Sequence, residues 1–220
     1  CPHCGAMLTK RRMERAWITK YDRSIQQTIR QAKQVPVLIN YSVGKQRFEK
    51  SPDAFDLALI EKIEQLEIPY WFPTDPIPKG DKTGEPLRIG ITHVHHFYTR
   101  RNLWVLDSFA NKTHKRLVRA LWVVTACTEG SSVLNRERPF GLPSKLSGTL
   151  YVSSMIREIN ALAFLRRKIE KYETRGFGKY IFTSVQSSTL LNKSDLSIDY
   201  IFTDPPFGGN LMYSELNFLW

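Results

Sequence analysis

An α/β fold is the class this sequence predicts, on three observations. The run Leu196–Thr203 is rich in apolar, β-branched and aromatic residues, as expected of a buried central parallel strand. A second strand-like run, Tyr180–Val185, precedes it across the polar turn Gln186-Ser187-Ser188-Thr189-Leu190. Ahead of both, Met155, Ile159, Leu162, Leu165, Ile169 and Tyr172 recur every three or four residues, which marks a helix with one core-facing stripe. Helix, strand, polar loop, strand is the order in which an open parallel sheet is built.

Composition narrows the class further. A chain of 220 residues has room for one large domain or two small ones, and 42% hydrophobic with 24% charged residues is globular rather than disordered. No apolar run reaches the length of a membrane span. Three cysteines argue against a disulfide framework and for a reducing compartment, so a cytoplasmic protein is expected. The net charge of +11 favours a polyanionic partner. It is concentrated at the front, where residues 1–50 hold eleven Lys or Arg against three acids, interleaved with Trp17, Tyr21, Tyr41 and Phe48. That stretch is either a phosphate-contacting surface or a solvated basic face.

Taken in order, residues 1–50 read as a β-rich module. Met13–Tyr21 and Val35–Val43 are strand-like, with a hairpin turn at Val43-Gly44-Lys45-Gln46. Ser51 is placed as a helix N-cap with Pro52 at the first helical position. That helix should run to about Leu66, with Phe55, Leu59, Ile60, Ile63 and Leu66 on one face. Residues 67–92, broken by Pro69, Pro73, Pro76, Pro78, Pro86 and several glycines, read as a structureless loop. Its Tyr70, Trp71 and Phe72 lie near Lys79, Lys82 and Arg88; they are a nucleic-acid-reading surface or a hydrophobic plug. His93, His95 and His96 follow, read as a turn near a polyanion, since metal binding by His93 and His95 would need strand geometry and a third ligand. Residues 97–128 should be mostly helical, 129–150 irregular, and Leu150–Val152 a short strand.

Two local patterns carry chemistry. Cys1-Pro2-His3-Cys4-Gly5 is a C-x2-C-G knuckle, the half of a tetrahedral zinc site that two thiolates supply. No second C-x2-C is present, so either residues upstream of Cys1 complete the site or it is not a zinc site; Cys127, in an apolar stretch, reads as a buried small hydrophobe. The second pattern is Asp204-Pro205-Pro206-Phe207, set at the end of the last strand and followed by Gly208-Gly209. Proline fixes φ and removes N–H groups, so the loop offers acceptors where it bends. A carboxylate and a proline-flanked carbonyl can draw the two hydrogens of an exocyclic amine, whose lone pair is otherwise delocalised into its ring. An aromatic beside them can stack on an extruded base.

The wider wording Ile198-Asp199-Tyr200-Ile201-Phe202-Thr203-Asp204-Pro205-Pro206-Phe207-Gly208, followed by Tyr213-Ser214-Glu215-Leu216, resembles a family of bacterial and archaeal amino-group DNA methyltransferases that carry a zinc ribbon. Phe97-Tyr98-Thr99-Arg100-Arg101-Asn102-Leu103 is similar to that family's aromatic-Thr-x-Arg-x-Leu helix entry. The resemblance implies a partial Rossmann-like fold that uses S-adenosyl-L-methionine (AdoMet) and methylates adenine N6 or cytosine N4 in double-stranded DNA, with Asp at the first motif position leaning to adenine. It implies the second half of a zinc-ribbon-like module over residues 1–50, a recognition insert over 51–148 and the start of the catalytic half over 149–220. In it, Asp204 and the Pro205 carbonyl accept the amino hydrogens, Pro206 shapes the loop and Phe207 stacks on the flipped base. Ser187 and Thr189, with Asp204, become cofactor-side candidates, and Cys1 and Cys4 half of a structural zinc site. RNA methylation, or nucleic-acid binding without catalysis, is the alternative.

The stretch Val105-Leu106-Asp107-Ser108-Phe109-Ala110-Asn111 echoes the family's AdoMet strand but lacks the glycines after it, so it is rejected as a cofactor site. The resemblance puts the true AdoMet turn upstream of Cys1. On that basis the chain is expected to be a piece of a longer protein, inactive by itself.

Overall fold

The computed structural model describes residues 3–7, 9, 13–113, 131–134, 148–175, 200, 202, 213–216 and 218. Two antiparallel hairpins come first. Strands β1 (Trp17–Asp22) and β2 (Gln27–Ala32) pair from Trp17↔Ala32 to Asp22↔Gln27. Strands β3 (Ile39–Val43) and β4 (Gln46–Lys50) pair from Ile39↔Lys50 to Val43↔Gln46, around the two-residue turn that the sequence predicts at Gly44-Lys45. Aromatic and cationic contacts stiffen both hairpins. Tyr41 and Phe48 face each other across the second, ring centroids 5.5 Å apart, and the Arg30 guanidinium sits 4.7 Å over the Trp17 ring in the first. Strand β2 escaped the sequence reading because QTIRQA is mostly polar, and only Ile29 of it is buried.

Helix α1 spans Ala54–Gln65. Its N-cap is Asp53, not Ser51, and Pro52 lies outside the helix. Asp53 accepts from the Asp56 backbone N–H, the Asp56 carboxylate accepts from the Asp53 N–H, and Lys50 Nζ bridges the two acids at 3.0 and 2.7 Å. Two carboxylates satisfying each other's orphan N–H groups hold the start of the helix better than one serine hydroxyl. No residue of α1 is buried, so the apolar face expected there is only half covered, at Ile60 and Ile63.

Residues 67–92 are the largest correction: this stretch is packed, not structureless. Ile68, Ile77 and Ile91 are buried, and a short helix α2 (Gly84–Arg88) with buried Pro86 lies inside it. Residues 75–77 pair with 92–94 through Ile77 N–H to Thr92 O (2.8 Å) and Val94 N–H to Asp75 O (3.0 Å). Prolines are tolerated here because they supply no donor that the pairing needs. A 3-10 turn over Val94–Phe97 then leads to helix α3 (Arg100–Lys112).

Phe97, fully buried, is the centre of the core, with Ile77, Ile91, Val94, Val133, Leu134, Leu150 and Val152 around it. Leu150 and Val152 bury alternate side chains as a strand would, yet the segment pairs with no strand among the described residues, so the predicted strand is a packed extended loop. Helix α4 spans Ala161–Arg175, starting six residues later than the stripe from Met155 implies. Asn160 Oδ1 accepts the Ala163 N–H at 3.0 Å and sets that start. Among the described side chains Ala161 and Leu165 are buried, whereas Met155 and Leu162 are exposed. Ala161 packs on Leu106, which joins α4 to α3.

The helix entry at Thr99 is built from side-chain bonds. Thr99 accepts the Asn102 N–H and donates to Glu158 Oε1 (2.8 Å), while Arg101 grips both Glu158 oxygens at 3.1 and 2.5 Å. Arg100 donates from Nε and Nη2 to the Leu66 carbonyl at the end of α1. Residues 97–103 are thus held in place by packing and capping. Helix α5 (Tyr213–Leu216) returns to residues 80–82, where the Glu215 carboxylate accepts the Asp81 and Lys82 backbone N–H groups at 3.2 and 2.7 Å.

The described strands form two-stranded antiparallel sheets only. The strands expected at 180–185 and 196–203 lie outside the described residues except for Tyr200 and Phe202. Those two are 80% and 79% exposed, not buried as the run predicts. Hydrophobic pattern specifies a face that wants cover; it does not supply the layer that covers it. No helix among the described residues is long and apolar enough to cross a membrane.

Candidate site at the Asp22, His95 and His96 cluster

Asp22 ends β1, at the mouth of the turn to β2, and its Oδ1 accepts the Ser24 N–H at 2.9 Å, an Asx turn that fixes the carboxylate. The β1–β2 hairpin is held on the core at Gly90. Ala32 N–H donates to Ile89 O (2.9 Å), and a Cβ at Gly90, whose φ is +81°, would stand 2.0 Å from the Arg30 carbonyl. Only glycine allows that approach. It swings Asp22 over the 3-10 turn, across the expected domain boundary at residue 50.

There Asp22 Oδ2 meets two imidazoles: His95 Nε2 at 2.7 Å and His96 Nε2 at 2.8 Å. All three side chains are at least nine-tenths buried, with 10%, 7% and 3% exposure. His96 Nδ1 accepts the Thr92 N–H at 3.2 Å, so its proton resides on Nε2 and is donated to Asp22. His95 likewise donates from Nε2. Its Nδ1 is buried and faces no hydrogen-bond partner among the described residues. The His95 and His96 rings meet edge to face with centroids 4.2 Å apart, and Phe72 closes the far side of His95 at 5.7 Å. His93 stands beside both and shares the Thr92 hydroxyl, its Nδ1 at 2.9 Å.

The electrostatics follow from burial and these bonds. Burial pushes the Asp22 carboxyl up, but hydrogen bonds from His95 and His96 outweigh it and hold the group well below the usual carboxylate range. Burial lowers His96, against the raising effect of its bond to Asp22. Burial and the neighbouring His95 lower His93. The cluster therefore sets an ionised Asp22 carboxylate beside His93 and His96 imidazoles that favour their neutral form.

The histidines do lie in a turn, a 3-10 one, with His95 and His96 buried against Asp22. The third partner that His93 and His95 lacked in sequence is Asp22, and it joins His95 and His96 instead. Nothing local in the sequence flags Asp22, because it is 73 residues from His95. The Tyr70–Phe72 aromatics split: Phe72 packs on His95, whereas Trp71 is 78% exposed.

Of the residues singled out by sequence, Asp204, Pro205, Pro206, Phe207, Ser187, Thr189, Cys1 and Cys127 lie outside the described residues. Cys4 is an exposed free thiol. The rejected Val105–Asn111 stretch is helical, within α3. Asp107 inside it is buried with Oδ2 unpaired among the described residues, and burial raises its pKa to about 7. No family model, curated protein or solved structure matches the chain.

Proposed function

We propose that the chain is part of an AdoMet-dependent DNA methyltransferase acting on the exocyclic amine of adenine. The observation that carries this reading is Asp204-Pro205-Pro206-Phe207 at the end of an apolar run. Asp204 and the Pro205 carbonyl would accept the amino hydrogens, so that the nitrogen pyramidalises towards the methyl sulfonium. Phe207 would stack on the extruded base. The methyl group would pass directly from sulfur to nitrogen, with the displaced proton leaving through the Asp204 side.

Two further features support it. Glu215, eight residues after Phe207, anchors to the backbone of Asp81 and Lys82, which ties the segment after the motif to the Pro-rich stretch that carries Lys79, Lys82 and Arg88. Among the basic residues of 1–50, Arg15, Lys20, Lys33, Lys45 and Arg47 are exposed on or beside the hairpins, where a phosphate backbone could reach them. Nucleic-acid binding without catalysis is the second reading. It is favoured by the absence of a Gly-rich Asp-x-x-x-Gly-x-Gly turn from these 220 residues.

The test is methyl transfer from labelled AdoMet to duplex DNA by the full-length protein containing this chain, with structured RNA in parallel. Asp204→Ala should abolish transfer and leave DNA affinity within about twofold. Transfer that persists in the variant sinks the assignment. Salt-dependent DNA binding with no AdoMet affinity in the full-length protein supports the second reading.

A further inference from the structure

We propose that Asp22, His95 and His96 are the protein ligands of a zinc-class divalent cation that clamps the β1–β2 hairpin to the core, independently of the methyltransferase reading. The donor atoms of these residues lie within 4.8 Å of one another in a largely buried pocket. Two imidazole nitrogens and one carboxylate oxygen are the donor types that zinc takes at about 2.0–2.2 Å. With Nε2 of each histidine now 2.7–2.8 Å from Asp22 Oδ2, a small outward shift of the two rings admits an ion among the three. Three protein ligands leave the fourth tetrahedral position to water.

The surroundings also suit coordination. When each Nε2 lone pair turns to the ion, the ring proton moves to Nδ1. For His96 that proton displaces the Thr92 N–H from Nδ1 and turns to Thr92 Oγ1, 3.3 Å away, whose own hydrogen can turn to His93 Nδ1 at 2.9 Å. A hydroxyl so placed is the outer partner that orients metal-binding histidines. Asp22 Oδ1 is held by Ser24, which leaves Oδ2 for the ion. The ion would close a 73-residue loop between the hairpin turn and the 3-10 turn.

The experiment uses the 220-residue protein without a histidine tag, stripped with chelator and titrated with Zn2+ and Co2+. One equivalent should bind. The Co2+ protein should show visible bands of nitrogen and oxygen ligation with no thiolate-to-cobalt charge-transfer band, and Cys4→Ser should leave both unchanged. Asp22→Asn and His96→Gln should each weaken binding by at least about 10–100-fold, the range seen when even a supporting partner is lost. If either variant does not fold, the cobalt spectrum of the unsubstituted protein decides. A thiolate band, loss of binding in Cys4→Ser, only substoichiometric metal, or full affinity in His96→Gln would each overturn the proposal.

Discussion

Residues 17–66 and residues 67–97 differ in a way that reverses their sequences. The first stretch has clear local signals: alternating strands, a Gly-Lys hairpin turn and a capped amphipathic helix. Yet Ile29 is its only buried residue. The second is broken by proline and glycine and has no clear period, and it holds Ile68, Ile77, Ile91, Val94 and the fully buried Phe97. Periodicity reports how a segment satisfies its own backbone. Burial depends on what lies opposite, and proline-rich chain can be buried once its few donors are paired, as Ile77 and Val94 are.

The sharpest test of that contrast is a pair of truncations. Phe97→Ala should cost about 3–5 kcal/mol in denaturant unfolding, whereas Phe55→Ala, on the exposed face of α1, should stay within about 0.5 kcal/mol. Equal losses would mean that α1 has a covering layer in solution. Two glycine substitutions come next. Gly90→Ala should cost more than about 2 kcal/mol, because left-handed strain adds to a backbone clash with β2. It should also expose the Ala32 amide to hydrogen exchange. Gly44→Ala, with open space around it, should cost about 1 kcal/mol from strain alone.

Asp107 makes a pH-dependent comparison with Asp22. Its folded pKa is raised from 3.8 to about 7, so the folded state holds a proton that the unfolded state has released between those values. Stability should therefore fall as pH rises from about 4 to 7. Asp107→Asn should raise the melting temperature at pH 8 and leave it nearly unchanged at pH 4; a gain equal at both pH values would exclude an ionising, unpaired Asp107. A local effect belongs to Glu215→Ala. Removing the acceptor of two backbone N–H groups should cost about 1–2 kcal/mol and speed exchange at the Asp81 and Lys82 amides.

How much was legible follows from which interactions are local. The β3–β4 hairpin, α1, α3 and part of α4 could be read, because a turn glycine, an acidic or threonine cap and a helical stripe act within a few residues. The cap of α1 was misplaced by two residues because Ser51 and Asp53 both qualify and only Lys50 and Asp56 decide between them. The three histidines were visible in the sequence as a cluster, but Asp22 was not, since the contact depends on Gly90 admitting β2 at close range. By itself the sequence determined the local elements, the basic front and the Asp-Pro-Pro-Phe signature. Only the tertiary structure decided that a proline-rich stretch forms the core, and that an acid at a hairpin turn meets two histidines, because both depend on surfaces brought together from far along the chain.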